Sequence, residues 1–581
     1  MHRTSVSFAL LAALALGACA PAAAPPAATP STSAPARIDP AWGLAGKARA
    51  VEAPHAMIVS GSPIASRIGR EILQRGGTAV DAAVAVGFAL AVVHPEAGNL
   101  GGGGFMVIRG SDGRTESLDY REMAPHRATR DMYLDAQGEV TDRSLTGHLA
   151  VGIPGAVAGL VEAHRRYGKL PLAEVIAPAI RLAAQGFVID EYRKESIAGD
   201  SARLTLFPAS RASFLPGGRP PTVGSRLVQA DLARTLEAIR DSGAAGFYQG
   251  LVADLIVAEM ERGGGLIDYQ DLMDYRAIWR TPVEIHYRGY TILSMPPSSS
   301  GGTTMGELLN IMEGFGPLPP FGSAELLHRE AEAMRRAFTD RNTYLGDPAF
   351  VTAPLDRLLS KEYAGSLRNQ IDPAHATPTP AFDPRLRGGS STTHYSVVDA
   401  QGNAVSCTTT LNDSYGSAVT VTGGGFLLND EMDDFASAPG KSNAYGLVQG
   451  EANAIAPGKR MLSAMTPSIV LDPEGRLFLL VGTPGGPRII TMVYHVISNV
   501  IDHGMSLPEA VAAPRMHHQA LPDSLRVERG GFAPAALATL EAMGHQVQIG
   551  GYSGDLEAII RTKTGWQGVS DPRAGGGGSG Y

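Results

Sequence analysis

The sequence predicts a layered α/β fold, with helical stretches flanking a central run of antiparallel strands. Apolar residues recur at helical intervals over 157–187, 229–262 and 325–345, with Gly/Pro breaks between. Short β-favouring runs gather at 283–294, 394–399, 404–410, 467–472 and 476–482. Two tight turns, Gln401-Gly402-Asn403 and Pro473-Glu474-Gly475, join neighbouring runs as antiparallel hairpins require.

In chain order, the body is expected to start near Ala53. Thr78-Ala79-Val80-Asp81 has the form of a capping box and opens a helix to about Val93, stopped by Pro95. Its apolar residues run almost all the way round, which predicts burial on every side. The turn Gly98-Asn99-Leu100-Gly101-Gly102-Gly103-Gly104 leads into a strand, Phe105–Arg109. It lacks GxGxxG spacing and no helix follows, so a nucleotide-binding loop is excluded. Ser366–Ser391 contains Pro373, Pro378, Pro380 and Pro384 with few apolar residues, and is expected to form an exposed loop. Pro484-Gly485-Gly486-Pro487 opens a last helix, to about Ile501.

Composition narrows the function classes. A chain of 581 residues can bury a large core, roughly four domains' worth by length. Its net charge is −8 and no Lys/Arg block stands out, so nothing in it suits nucleic acid. The two cysteines, Cys19 and Cys407, leave one in the body and no intramolecular disulfide framework. Cys407 reads as a small apolar strand residue rather than a nucleophile. His517-His518 lacks further clustered ligands and reads as structural. Gly440-Lys441-Ser442 is only a fragment of a phosphate loop, since Phe435 stands where the earlier Gly is required.

The N-terminus reads as an export signal: His2 and Arg3, then an apolar run Val6–Leu16 too short to span a bilayer. Leu16-Gly17-Ala18-Cys19 resembles a bacterial lipoprotein cleavage box, with Cys19 as the acylated residue. The alternative is an ordinary signal peptide cut near Ala18 or Ala20. Residues 20–41 are mostly Ala, Pro, Ser and Thr, a composition that suits a tether. The expected location is the periplasm or the outer membrane of a bacterium, with attachment by a lipid anchor.

The most informative stretch is Thr392-Thr393-His394-Tyr395-Ser396-Val397-Val398-Asp399, a strand that opens on Thr after the soft loop Arg387-Gly388-Gly389-Ser390-Ser391. A threonine hydroxyl is a poor nucleophile until a base takes its proton. A free α-amino group, with a pKa of roughly 7.7–8.0, can be that base, whereas the amide nitrogen of an uncut chain cannot. A strand starting at Thr therefore gains chemistry if the bond before it is cut.

Five blocks in one order carry a family resemblance: GNLGGGGFMVI, LDYREMAP, TTHYSVVDAQGNAVSCTTTLNDSYGS, LLNDEMDDF and GTPGGPRIIT. With them, the chain resembles a gamma-glutamyltransferase (gamma-glutamyltranspeptidase) precursor from about Pro54 to Arg573. The resemblance implies the four-layer αββα sandwich of N-terminal nucleophile hydrolases. It implies self-cleavage between Ser391 and Thr392, giving a large subunit (42–391) and a small catalytic subunit (392–581). It implies gamma-glutamyl transfer or hydrolysis through an acyl-Thr392 intermediate, with glutathione or related amides as donors and water, amino acids or peptides as acceptors.

By the same resemblance Thr410 bonds the nucleophile's hydroxyl and Gly485 and Gly486 hold the oxyanion. Arg121 binds the substrate α-carboxylate, as a guanidinium can do bidentately. Asn412, Glu431 and Asp434 bind the α-ammonium, and the spacing in EMDDF gives that role to Asp434 rather than Asp433. Ser463 matches the first of a Ser-Ser pair whose second member is here Ala464. Tyr445 closes a mobile lid, Pro439–Gly446. No cofactor and no metal is called for. The alternative within this fold is an acylase for glutaryl or related acyl groups, for which Asp434 would have no ammonium to bind. A non-catalytic surface lipoprotein is the reading from a different class, and the joint presence of Thr392, Gly485, Gly486 and Arg121 argues against it.

Overall fold

In the computed structural model, residues 38–379 and 391–581, together with His2, are described. The export signal, Cys19, most of the linker and residues 380–390 of the loop before Thr392 lie outside them. Two seven-stranded sheets form the centre. The first runs, in spatial order, Gly577–Gly580, Met57–Ser60, Thr392–Val398, Ala404–Thr410, Gly103–Arg109, Thr115–Tyr120 and Ile278–Arg280. The second runs Arg49–Ala53, Trp566–Ser570, Glu557–Arg561, Leu477–Gly482, Ser468–Leu471, Tyr290–Ser294 and Val283–Tyr287. Every pairing in both is antiparallel.

The side-chain alternation of the strands explains the layers. Ile58, Met106, Ile108, Tyr395, Val397, Val405 and Cys407 join a core with the helices Pro63–Gln74, Ala79–Val93, Ala156–Tyr167 and Leu172–Gln185. Their neighbours Met57, Val59, Phe105, Val107, Val398 and Ala404 join a second core. That core includes the other sheet and the helices Gly301–Glu313, Ala324–Tyr344 and Arg488–Ile501. Successive strand residues point to opposite faces, so one strand feeds both cores. The result is the expected four-layer αββα sandwich. The two sheets come close at Gly482, where a Cβ would lie 2.2 Å from His394 Nδ1.

Most expected elements stand where the sequence puts them. The capped helix is Ala79–Val93, with Thr78 accepting from the Asp81 N–H and all residues buried except Gly87. Its N-terminus is tied to the Thr392–Thr410 hairpin, because Ala79 N–H donates to Asp399 Oδ2 at 2.9 Å. The 283–294 run is a hairpin of two strands, and Pro473-Glu474-Gly475 turns between Ser468–Leu471 and Leu477–Gly482.

Three expectations need correction. The body begins before Ala53, since Ile38, Trp42 and Leu44 belong to the second core and Trp42 Nε1 donates to Ala512 O. An Ala/Pro-rich flank hid these few large apolar residues. The loop expected from Ser366 begins later, because helix Lys361–Arg368 runs through that position with a Ser360 cap. Beyond it, Ala376 N–H bonds Met543 O and Thr377 N–H bonds Glu332, so this part is held against the body. Helix Gly301–Glu313 was not expected at all. Its Ser/Gly-rich start imitates a loop, yet the whole first turn is buried between sheet and helices, where small residues let backbones approach. Among the described residues no helix is long and apolar enough to cross a membrane.

Candidate active site

The Thr392–Val398 and Ala404–Thr410 hairpin sets the site. Its register pairs Thr392 with Thr410, Thr393 with Thr409 and His394 with Thr408. The Thr392 and Thr410 hydroxyls are 3.1 Å apart. Thr410 Oγ1 accepts the Asn412 N–H at 2.8 Å and lies 3.5 Å from the Ser391 carbonyl oxygen. The other two threonines are spent elsewhere: Thr409 Oγ1 donates to Gly103 O and Thr408 Oγ1 meets His394 Nδ1. Of three consecutive threonines, pairing brings only Thr410 beside Thr392. Asn412 takes a positive φ of 80°, a left-handed conformation that Asn tolerates, and so directs its N–H back at Thr410.

Gly485 and Gly486 stand between strand Leu477–Gly482 and helix Arg488–Ile501. Gly486 has φ 57°, and a Cβ there would lie 2.9 Å from the Tyr445 ring, so any other residue would be strained and would displace that ring. Among the described residues neither glycine N–H donates a hydrogen bond. Gly486 lines the same pocket as Thr392, and Gly485 is its neighbour in the chain. Unpaired N–H groups at a helix start favour negative charge beside them.

The head-group residues converge on this pocket and pair with one another. Arg121, buried at 1% exposure, donates to Glu431 Oε1 and Asp434 Oδ2, and through Nε to Met461 O at 3.2 Å. Glu122 lies beneath, 3.6 Å from the guanidinium. Burial works to lower the Arg121 pKa, but Glu431, Asp434 and Glu122 outweigh it and the net shift is upward. Burial also raises all three carboxyls against the pull of Arg121, with Glu122 at about 7. Glu431 Oε2 and both Glu122 oxygens are buried without a hydrogen-bond partner among the described residues. Buried acceptors of this kind are rare and call for a donor.

Asp433 points elsewhere: it accepts from Ser144 Oγ at 2.7 Å and from the Ala444 N–H at 3.1 Å. The geometry thus separates the two aspartates, Asp434 toward Arg121 and Asp433 toward the 439–446 segment. In that segment Tyr445 lies over Gly486, and its hydroxyl donates to Asn412 Oδ1 at 2.9 Å. The Asn412 amide oxygen, expected to face an ammonium, is therefore occupied by Tyr445. Ser463 and Ala464 line the pocket, where Ser463 Oγ accepts the Met465 N–H at 3.1 Å. The open volume among these residues is only about 20 Å³, room for little more than one water.

Sequence reasoning missed Arg341. It lines the pocket, donates from Nε to Ser300 Oγ at 2.8 Å, and forms no ion pair among the described residues. Burial lowers its pKa to about 10. The signal lay in the helical stripe Met334–Phe338–Arg341, a cation at an apolar position. Cys407 is buried against Tyr120 OH at 3.0 Å, and burial pushes its thiol up to about 12, far from a nucleophile's range. His517 bonds Thr491 and Gln519, and His518 bonds Asp523.

The family model described as gamma-glutamyltranspeptidase matches residues 65–581. The "Glutathione hydrolase proenzyme" of Escherichia coli (strain K12) is 48% identical over 531 residues, covering 90% of this chain and 91% of that protein. The "Acylase ACY 1 proenzyme" of Pseudomonas sp. (strain SE83) is 41% identical over 503 residues, 84% of this chain and 87% of that one. Among solved structures, the cephalosporin acylase from Bacillus halodurans superposes with a TM-score of 0.82 at 28% identity, covering 92% of this chain and 97% of that one.

Proposed function

The chain belongs to the gamma-glutamyltranspeptidase family, and from that premise we propose an enzyme that transfers or hydrolyses gamma-glutamyl groups, glutathione's among them, through an ester on Thr392. The observation that carries the reading is the meeting of two devices in one pocket. The Thr392–Thr410 hydroxyl pair supplies a nucleophile, and the Arg121–Glu431–Asp434 cluster supplies both charges that an amino-acid head group needs.

Maturation comes first. The Thr392 hydroxyl attacks the Ser391 carbonyl carbon, the amide becomes an ester, and water releases Ser391 as a carboxylate. Thr392 then holds a free amine. Thr410, whose oxygen already accepts the Asn412 N–H, keeps its own proton for the Ser391 oxygen or for Thr392.

In turnover the Thr392 amine takes the hydroxyl proton and the oxygen attacks the gamma-amide carbonyl. The N–H groups of Gly485 and Gly486 receive the oxyanion. The leaving amine departs with the proton, and water or an amine acceptor then cleaves the ester. The substrate carboxylate takes over Arg121, and its ammonium takes the freed carboxylates Asp434 and Glu431. This exchange of partners offsets the cost of opening a closed, charged pocket. Ser463 and Asn412 complete the head-group shell, and Tyr445 closes over it.

An acylase reading is less well supported, because a glutaryl group would leave Asp434 and the unpartnered Glu431 oxygen without a donor. N-terminal sequencing of purified active enzyme tests the proposal. A new terminus at Thr392 is expected, and an active protein that stays one chain would refute it.

The export signal and Leu16-Gly17-Ala18-Cys19 support a location outside the cytoplasm, anchored by acyl chains on Cys19. Fractionation of wild type beside Cys19→Ser should move the enzyme from membrane to soluble fractions. Equal solubility of the two would end the lipoprotein reading without touching the enzymatic one.

A further inference from the structure

The helix that follows Gly485-Gly486 faces two spaces. Gly486, Pro487 and Ile489 border the Thr392 pocket. Arg488, Thr491 and Met492 border a separate and far larger cavity of about 310 Å³, whose lining also includes Arg526 and residues 548–553.

The charges around this second cavity do not balance. Arg515 is committed to Asp571 at 2.6 Å and to Val511 O at 2.7 Å. Glu528 is the carboxylate in the lining, and it is fully engaged. Arg573 reaches it at 2.6 and 2.8 Å, and the N–H groups of Arg515 and Ser553 reach it at 3.1 and 3.0 Å. His517, also in the lining, is held neutral by burial, and both its ring nitrogens are bonded within the protein.

Arg488 and Arg526 remain. Both are partly buried, and among the described residues neither forms an ion pair. Arg488 makes one side-chain hydrogen bond, from Nε to Gly485 O at 3.2 Å, and the Arg526 guanidinium makes none. Burial pushes both guanidinium groups down, and the Arg526 charge adds to the effect on Arg488. Like charges held together and partly out of water are relieved by an anion between them, and a planar guanidinium fits an oxyanion bidentately.

We propose that this cavity is an anion site, taking a carboxylate or phosphate group of a small molecule between Arg488 and Arg526. Its link to catalysis is Arg488 itself. An anion that draws this side chain toward the cavity weakens its hold on the Gly485 carbonyl, next to Gly486 in the lining of the Thr392 pocket. Occupancy is therefore felt as a change in turnover rather than as competition for the donor.

Calorimetric titration of the mature enzyme with inorganic phosphate, and separately with succinate, tests the proposal. One saturable site is expected, weakened at least tenfold in Arg526→Gln and kept within a few-fold in Arg526→Lys. Both variants should retain activity in anion-free buffer, which separates lost binding from lost folding. The anion that binds more tightly identifies the group the site takes. The proposal is overturned by no saturable binding to wild type, by equal binding to Arg526→Gln, or by phosphate inhibition that is competitive with the gamma-glutamyl donor.

Discussion

The hydroxyls of Thr392 and Thr410 stand 3.1 Å apart because their two strands pair in register across a tight hairpin. Thr410 also sits within 3.5 Å of the Ser391 carbonyl, on the acceptor side of the bond proposed to break. Thr410→Ala should therefore slow both self-cleavage and turnover, each by about 10²-fold or more, the scale of losing one well-placed donor. Thr410→Ser should restore most of each. A gel time course of the precursor and steady-state rates of the cleaved enzyme read the two effects separately. An alanine variant that matures and turns over normally would reduce the pair to a packing contact.

Asp434→Asn should raise KM for gamma-glutamyl anilides by about 10–100-fold, the range for a lost charge-assisted hydrogen bond of ~1.5–3 kcal/mol. Maturation should proceed, since Asp434 bonds Arg121 and not the Thr392 hairpin. Glutaryl amides, which lack the ammonium, should be turned over no more slowly by the variant. An unchanged KM would remove Asp434 from the head-group site.

Ala464→Ser places a hydroxyl in the pocket lining beside Ser463. One added hydrogen bond to the substrate carboxylate is worth about 0.5–1.5 kcal/mol, so KM should fall roughly two- to tenfold with kcat little changed. A drop in kcat alone would mean that the hydroxyl meets the lid instead.

Asp433 gives a pH prediction with a definite sign. Burial raises its carboxyl from 3.8 to about 7, against the hydrogen bonds from Ser144 and Ala444. The native state thus holds this proton more tightly than the unfolded chain does. Its stability contribution is complete below about pH 4 and is lost as pH rises through about 7. Asp433→Asn, which cannot ionise, should gain stability relative to wild type across that window, with a slope of up to one proton. Parallel denaturant midpoints of the two proteins at several pH values measure it. A constant difference would mean that Asp433 is already ionised when buried.

Local pattern carried a good part of this protein. The capped helix at Ala79, the hairpin turns and the five ordered blocks depend on neighbours in sequence, and they were legible there. The blocks also named the residues that meet at the pocket. What the sequence could not give was pairing at a distance. The strand that opens on Thr392 is bordered by Met57–Ser60, and beyond that strand lies the chain's last one, Gly577–Gly580. No local signal reports such contacts.

The same limit governs the site. Sequence named Thr392, Arg121 and Asp434, because each chemistry needs that residue type. The resemblance also picked Thr410 from three threonines and Asp434 from two aspartates, but the physical reason, strand register in one case and side-chain direction in the other, is visible only in the folded chain, as is Arg341 buried beside them. Residue type is written in the chain, but partnership follows from register and burial. Those are set jointly by two sheets and two helix layers that pack as a whole.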